Sequence, residues 1–144
     1  MVIDFHTHAF PDELAKKAIP KLAANGNIAN VGDGTVRSLL AEMGRSGVDR
    51  AVILNIATNA KQQTNVNNFA IATKKTYPRL YTLGSIHPDS ENIESEAKRL
   101  KDAGIRGIKI HPDYISTFID DPKMDRVYAA CVANDLFVAS HSGW

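Results

Sequence analysis

Apolar and polar positions alternate along the chain in two rhythms. Five short runs rich in Val, Ile, Leu or aromatic residues predict strands: "VIDF" (2–5), "RAVILNI" (50–56), "LYTLGSI" (80–86), "IRGIKI" (105–110) and "LFVAS" (136–140). Between them the spacing turns helical. Over 35–47, Val36, Leu39, Leu40 and Met43 share one face and Gly47 is the expected stop. The stretch 65–77 runs up to Pro78, which resists continuing a helix. Residues 90–104 open with a Ser cap and an acidic first turn and close on Lys, Arg and Gly. Residues 121–134 begin Asp-Pro, a favoured cap and first-turn pair. The segment "DELAKKAIPKLAANG" reads as helical with a kink or break at Pro20, and 25–35 reads as a loop. Strand and helix alternating in this way imply βα units and a parallel sheet. No boundary is visible, so residues 1–144 read as one α/β domain.

Composition narrows the function classes. The chain has 144 residues, 44% hydrophobic and 23% charged, enough for a real core. Its formal net charge is +1 and Lys and Arg are scattered, which gives no sign of nucleic-acid or acidic-membrane partners. No apolar run approaches the roughly 20 residues of a membrane span. The start lacks a signal-peptide pattern, and acidic Asp4 interrupts its first apolar stretch. A lone Cys131 makes no intrachain disulfide, so a reducing cytoplasm is the expected compartment.

The histidines carry the chemistry. All five, His6, His8, His87, His111 and His141, fall at or just beyond the C-terminal end of a predicted strand. In parallel α/β folds that edge is where ligands bind. Alternate strand residues face one way, so Asp4, His6 and His8 are expected on one side. Two imidazoles about 7 Å apart at the backbone can converge on one cation. Zn²⁺ accepts histidine nitrogen readily, and catalytic sites usually combine three protein ligands with water. His141 lies on the side of Phe137 and Ala139, and Lys109 shares a side with His111.

Plainer readings stand beside these. An isolated HxH is often accidental. His87, in "SIHPD", suits a turn in which it bonds the backbone. His111, in "KIHPD", suits either a structural or a substrate-contacting role. Asp4 suits a buried partner orienting a histidine, as metal-bound imidazoles require. Cys131, among Val127, Tyr128 and Val132, reads as core packing. Tyr114 and Phe118 read as loop packing or pocket walls.

Three motifs in order, "IDFHTHAFPDELA" (3–15), "GIKIHPDYISTFIDDP" (107–122) and "LFVASHSGW" (136–144), resemble the amidohydrolase superfamily, in its amidohydrolase-related hydrolase and decarboxylase branch. The resemblance implies a TIM-barrel type (β/α)₈ fold with a mono- or binuclear metal centre at its C-terminal mouth. It implies His6 and His8 as first-strand ligands and His141 as the fifth-strand ligand of a divalent metal, with zinc expected. It places Lys109 and His111 where relatives carry a metal-bridging or substrate-contacting group, a carboxylated lysine being one form. The implied reaction is attack of metal-activated water on an amide, lactone or ester carbonyl of a small molecule. Non-oxidative decarboxylation is the alternative. The polymerase-and-histidinol-phosphatase type of metal hydrolase also begins with HxH, but "GIKIHPD" and its spacing to "SHSGW" fit it less well.

A full barrel needs about 250 residues, whereas five strands are predicted here. The family's sixth-strand histidine and eighth-strand aspartate, the usual general base, have no counterpart by motif. The expectation is therefore a partial (β/α) barrel of about five parallel strands. Uncovering half a dozen large apolar side chains would forfeit on the order of 10 kcal/mol, against a domain's margin of about 5–15 kcal/mol. Such a truncated relative is expected to self-associate or to pair with a complementary half-barrel chain. A catalytically inactive metal-binding module is the non-enzymatic alternative.

Overall fold

The computed structural model describes residues 1–26 and 32–142. Residues 27–31 of the loop expected over 25–35, and the final Gly143 and Trp144, lie outside those residues. The chain divides into two compact units, Met1–Ile53 with Arg79–Tyr81, and Leu54–Pro78 with Thr82–Trp144.

All five predicted strands form: β1 (Ile3–Thr7), β2 (Arg50–Leu54), β3 (Leu80–Leu83), β4 (Gly107–Ile110) and β5 (Phe137–Ser140). In the first unit β1 pairs with β2 in parallel, Ile3 opposite Arg50 and Asp4 opposite Ala51. The register then slips, so that Thr7 stands opposite Ile53. Three steps along β1 match two along β2, which is a β-bulge. Ala51 and Ile53 of β2 are fully buried, whereas Phe5 of β1 is 58% exposed.

Helix α1 (Asp12–Gly26) runs through Pro20 without breaking. Proline removes the N–H that would serve the Lys16 carbonyl. Both residues lie on an exposed face, where water can serve that carbonyl instead. Helix α2 (Val36–Ser46) follows the sequence pattern closely. Thr35 caps it by accepting the Ser38 N–H at 3.1 Å, and Gly47 ends it at φ +68°, a left-handed conformation that glycine adopts without strain.

In the second unit β4 and β5 are parallel, with Gly107 opposite Phe137 and Ile110 opposite Ser140. Gly84, just past β3, bridges to Ile108 in parallel. Helices α3 (Gln63–Thr76), α4 (Ile93–Asp102), the single turn α5 (Pro112–Ile115) and α6 (Asp125–Ala133) complete the unit. Its core gathers Ile93 and Leu100 from α4, Ile108 from β4, and Val127 and Cys131 from α6. Burial pushes the Cys131 thiol up to about 11, as befits an inert packing residue.

Two helices start later than the sequence suggests. Ser90 does not cap α4; its hydroxyl donates to the Asn92 side chain at 2.6 Å, and the helix begins at Ile93. Asp121 does accept the Lys123 N–H at 2.8 Å, but the turn it caps is a 3-10 turn, Pro122–Met124, before α6. Among the described residues no helix is long and apolar enough to cross a membrane.

Candidate functional site

In the first unit the bulge shapes the HxH pair. Asp4 is exposed rather than buried, and its carboxylate accepts the backbone N–H of His6 at 3.0 Å. Its partner is thus the main chain of a histidine. Thr7 is buried and anchors the strand end, its hydroxyl donating to the Val52 carbonyl at 2.8 Å. Ala9 is buried as well, while His6 and His8 are exposed. Their rings meet edge to face, with centroids 5.2 Å apart and planes at 63°. The two imidazoles share one neighbourhood, as a pair of ligands to one cation must.

In the second unit the register of β4 and β5 does the same for His111 and His141. With Ile110 opposite Ser140, the next residues are His111 and His141, and the His141 N–H donates to the Ile110 carbonyl at 3.0 Å. Their rings stack, centroids 4.0 Å apart and planes within 11°. Tyr114 stacks on the other side of His111 at 3.9 Å and 5°. The turn α5 makes this possible, because its bonds from the Tyr114 and Ile115 N–H groups to the His111 carbonyl bring residue i+3 back over residue i. Pro112 starts the turn and Ser116, at φ +51°, ends it. The Asp113 carboxylate lies 3.8 Å from His111 Nδ1.

Lys109 is 3% exposed, and burial lowers its pKa below the ordinary lysine value. Its ammonium makes no ion pair or hydrogen bond among the described residues. Its backbone is held firmly: the N–H donates to the Gly84 carbonyl at 2.8 Å, and the Lys109 carbonyl accepts from the Ser85 hydroxyl at 3.3 Å.

His87 is a turn residue. Its Nδ1 accepts the Asp89 N–H at 3.2 Å, which leaves the ring proton on Nε2. Burial lowers its pKa; nearby Asp89 opposes the shift and Lys123 adds to it. The His87 N–H donates to the side-chain amide oxygen Oε1 of buried Gln63 at 2.8 Å. One turn along α3, Asn67 brackets Ser85, accepting its N–H at 2.8 Å and donating to its carbonyl at 2.9 Å. The same amide donates to Glu96 at 2.8 Å. These contacts fix the segment after β3, and through Ser85 they reach the backbone of Lys109.

Sequence reasoning missed Gln63, Asn67 and Ser85, and left Tyr114 between loop packing and a pocket wall. The available signal for the first two was their i, i+4 spacing with Ala70 on one face of α3, and all three are fully buried. Among the described residues no group of three or more His, Cys, Asp or Glu stands close enough to hold an ion. The histidines instead come as the pair His6–His8 and the pair His111–His141.

A comparison with curated protein sequences finds no match. Among solved structures, the chain is similar to Metarhizium anisopliae IDCase in its apo form, with a TM-score of 0.68 and 16% identity over 100% of this chain and 51% of that one. It is likewise similar to 5-carboxyvanillate decarboxylase from Novosphingobium aromaticivorans, solved with bound manganese and 3-methoxy-4-hydroxy-5-nitrobenzoic acid. There the TM-score is 0.69 and the identity 18%, over 98% of this chain and 50% of that one. The chain thus spans about half the length of these structures. At such identity the likeness shows the fold, a partial (β/α) barrel of TIM type. The family model described as Amidohydrolase matches residues 3–144, and the chain belongs to the amidohydrolase family.

Proposed function

We propose that this chain contributes ligands and substrate-contacting groups to a divalent-metal-dependent hydrolase acting on a small molecule. His6, His8 and His141 are the proposed ligands. The donor chemistry fits. Neutral imidazoles suit first-row divalent ions, and His6 and His8 already share one neighbourhood at 5.2 Å. That pairing is the observation on which the reading rests. A histidine set is compatible with zinc, whereas the similar 5-carboxyvanillate decarboxylase holds manganese.

Such an ion, when bound, polarises a carbonyl or carboxylate oxygen and acidifies water. The chain's own groups do the rest. Lys109, a buried residue, offers an ammonium that makes no ion pair among the described residues, suited to an anionic or carbonyl oxygen of the substrate. His111 offers an imidazole at the same strand end, able to hold or deliver a proton.

Decarboxylation of an aromatic or enoic acid is the second reading. It is favoured by the structural likeness to a decarboxylase and by the same buried ammonium, which would orient the substrate carboxylate. Elemental analysis of the purified full chain, with His6→Ala and His141→Ala beside it, tests the metal. The expected result is a stoichiometric divalent ion lost in both variants; retention in both would overturn the ligand assignment. Turnover of lactones and amides against aromatic acids separates the two reactions.

A further inference from the structure

The three-ring column at the ends of β4 and β5 is more ordered than two chance contacts require. We propose that Tyr114 and His111 are positioning residues that fix the ring plane of His141. The planes of His141, His111 and Tyr114 lie within 11° and 5° of their neighbours, at separations of 4.0 and 3.9 Å. Each position follows from backbone that side-chain rotation cannot alter. His141 is set beside His111 by the parallel register and the bond from its N–H to the Ile110 carbonyl. Tyr114 is set over His111 by the turn α5, which buried Ile115 anchors from within.

An imidazole on a strand end can rotate about two side-chain torsions. A flat ring packed against one face removes most of the rotation about the second. His111 supplies that face to His141. Tyr114, packed against the far side of His111, restrains the tilt of that ring in turn. The column therefore passes a fixed plane from a rigid turn to the tip of β5. Metal-binding imidazoles need such orientation, and loss of an orienting partner typically weakens metal affinity by about 10–100-fold.

The metal part of this inference rests on the ligand role proposed for His141; the ring order does not. Tyr114 is 43% exposed, so its truncation leaves no buried cavity. The test compares Tyr114→Ala and Tyr114→Phe in the full chain. The phenylalanine variant keeps the stacked ring and removes only the hydroxyl. Two measurements are made: ring-proton shifts of His111 and His141 by NMR without metal, and zinc or manganese affinity by competition with a chromophoric chelator.

The expected result for Tyr114→Ala is downfield movement and broadening of both histidine rings and roughly tenfold weaker metal binding. Tyr114→Phe should match the parent within about twofold in both measurements. Unchanged His141 resonances in Tyr114→Ala would overturn the proposal, whatever the metal does. Parent-like affinity in Tyr114→Ala, where His141→Ala binds weakly, would overturn its metal part alone. Parent-like affinity in His141→Ala would remove the ligand role and leave the ring order to be judged on the shifts.

Discussion

The carboxylate of Asp4 accepts the backbone N–H of His6 at 3.0 Å, at the point where β1 slips register against β2. A bulge leaves one residue out of the ladder, and its N–H must find another partner. Asp4 is that partner. The bulge then sets the directions in which His6 and His8 leave the strand. Asp4→Ala is expected to weaken divalent-metal binding by about tenfold while lowering stability by only about 1 kcal/mol. Asp4→Asn, which keeps an acceptor oxygen, should retain most of the affinity. Chelator competition and urea denaturation of the three proteins check this. Equal losses in the two variants would point to the charge, not the hydrogen bond.

A second expectation concerns the clamp behind the candidate site. Asn67 is fully buried and makes three hydrogen bonds, two to the backbone of Ser85 and one to Glu96. Removing it orphans groups that water cannot reach, each at about 1–3 kcal/mol. Asn67→Ala should therefore destabilise the fold by about 3 kcal/mol or more. Gly84 tests the same region from the other side. A Cβ there would lie 2.5 Å from a Leu100 methyl and 3.1 Å from Asn67 Oδ1. Gly84→Ala should cost about 1–3 kcal/mol by overpacking. Urea midpoints read both, and a neutral Asn67→Ala would show that the bracket around Ser85 is dispensable.

What could be read from the sequence follows from which forces are local. The strands were legible because each is a short apolar run bounded by polar residues, and α2 because its cap, face and stop agree. The placement of His111 and His141 was legible as strand-end position, but their stacking depends on the β4–β5 register and on one helical turn. The shared side expected of Asp4, His6 and His8 rested on strict alternation, which the bulge interrupts. Asn67 was invisible because a polar side chain on a helix reads as solvated. The backbone of Ser85 and the Glu96 carboxylate, both distant in sequence, satisfy its amide and permit its burial. Pro20 reads as a kink or break because the rule concerns a missing N–H, and its outcome depends on whether water can reach the carbonyl left behind.

Acid sensitivity should trace in part to His87. Burial lowers its pKa in the folded chain below the ordinary value near 6.5, so the unfolded chain takes up the proton more readily. The stability this ring contributes is present above about pH 6.5 and is lost as pH falls toward the lowered folded value. Protonation would also remove the Nδ1 acceptor that receives the Asp89 N–H. Glu94, held at about 2 by its bonds to Arg126, titrates well below this window. Urea midpoints at pH 7.5 and 5 should therefore fall further for the parent than for His87→Asn, which does not titrate. Parallel losses would place the acid response elsewhere.

Lys109 sets stability against function. Burial of Lys109 strips its ammonium of part of its hydration, and no carboxylate among the described residues compensates it. The lowered pKa records the same imbalance, since the folded chain disfavours the charged form relative to the unfolded chain. Lys109→Met keeps the side chain's length and apolar stem and removes the charge. It is expected to raise stability at pH 7 by about 1 kcal/mol, which for a chain of this size is about 3 °C in Tm. The sign of the pH dependence follows. As pH rises through the folded pKa toward the ordinary lysine range, the native ammonium discharges before the unfolded one, and the parent gains stability. The gap between parent and Lys109→Met should accordingly narrow from pH 7 to pH 10. The same variant should lose turnover, because the cation proposed to hold the substrate oxygen is gone. Thermal melts across that pH range decide the matter. A methionine variant less stable than the parent at pH 7 would mean that the ammonium is compensated in the fold, and the substrate role proposed for Lys109 would lose its physical basis.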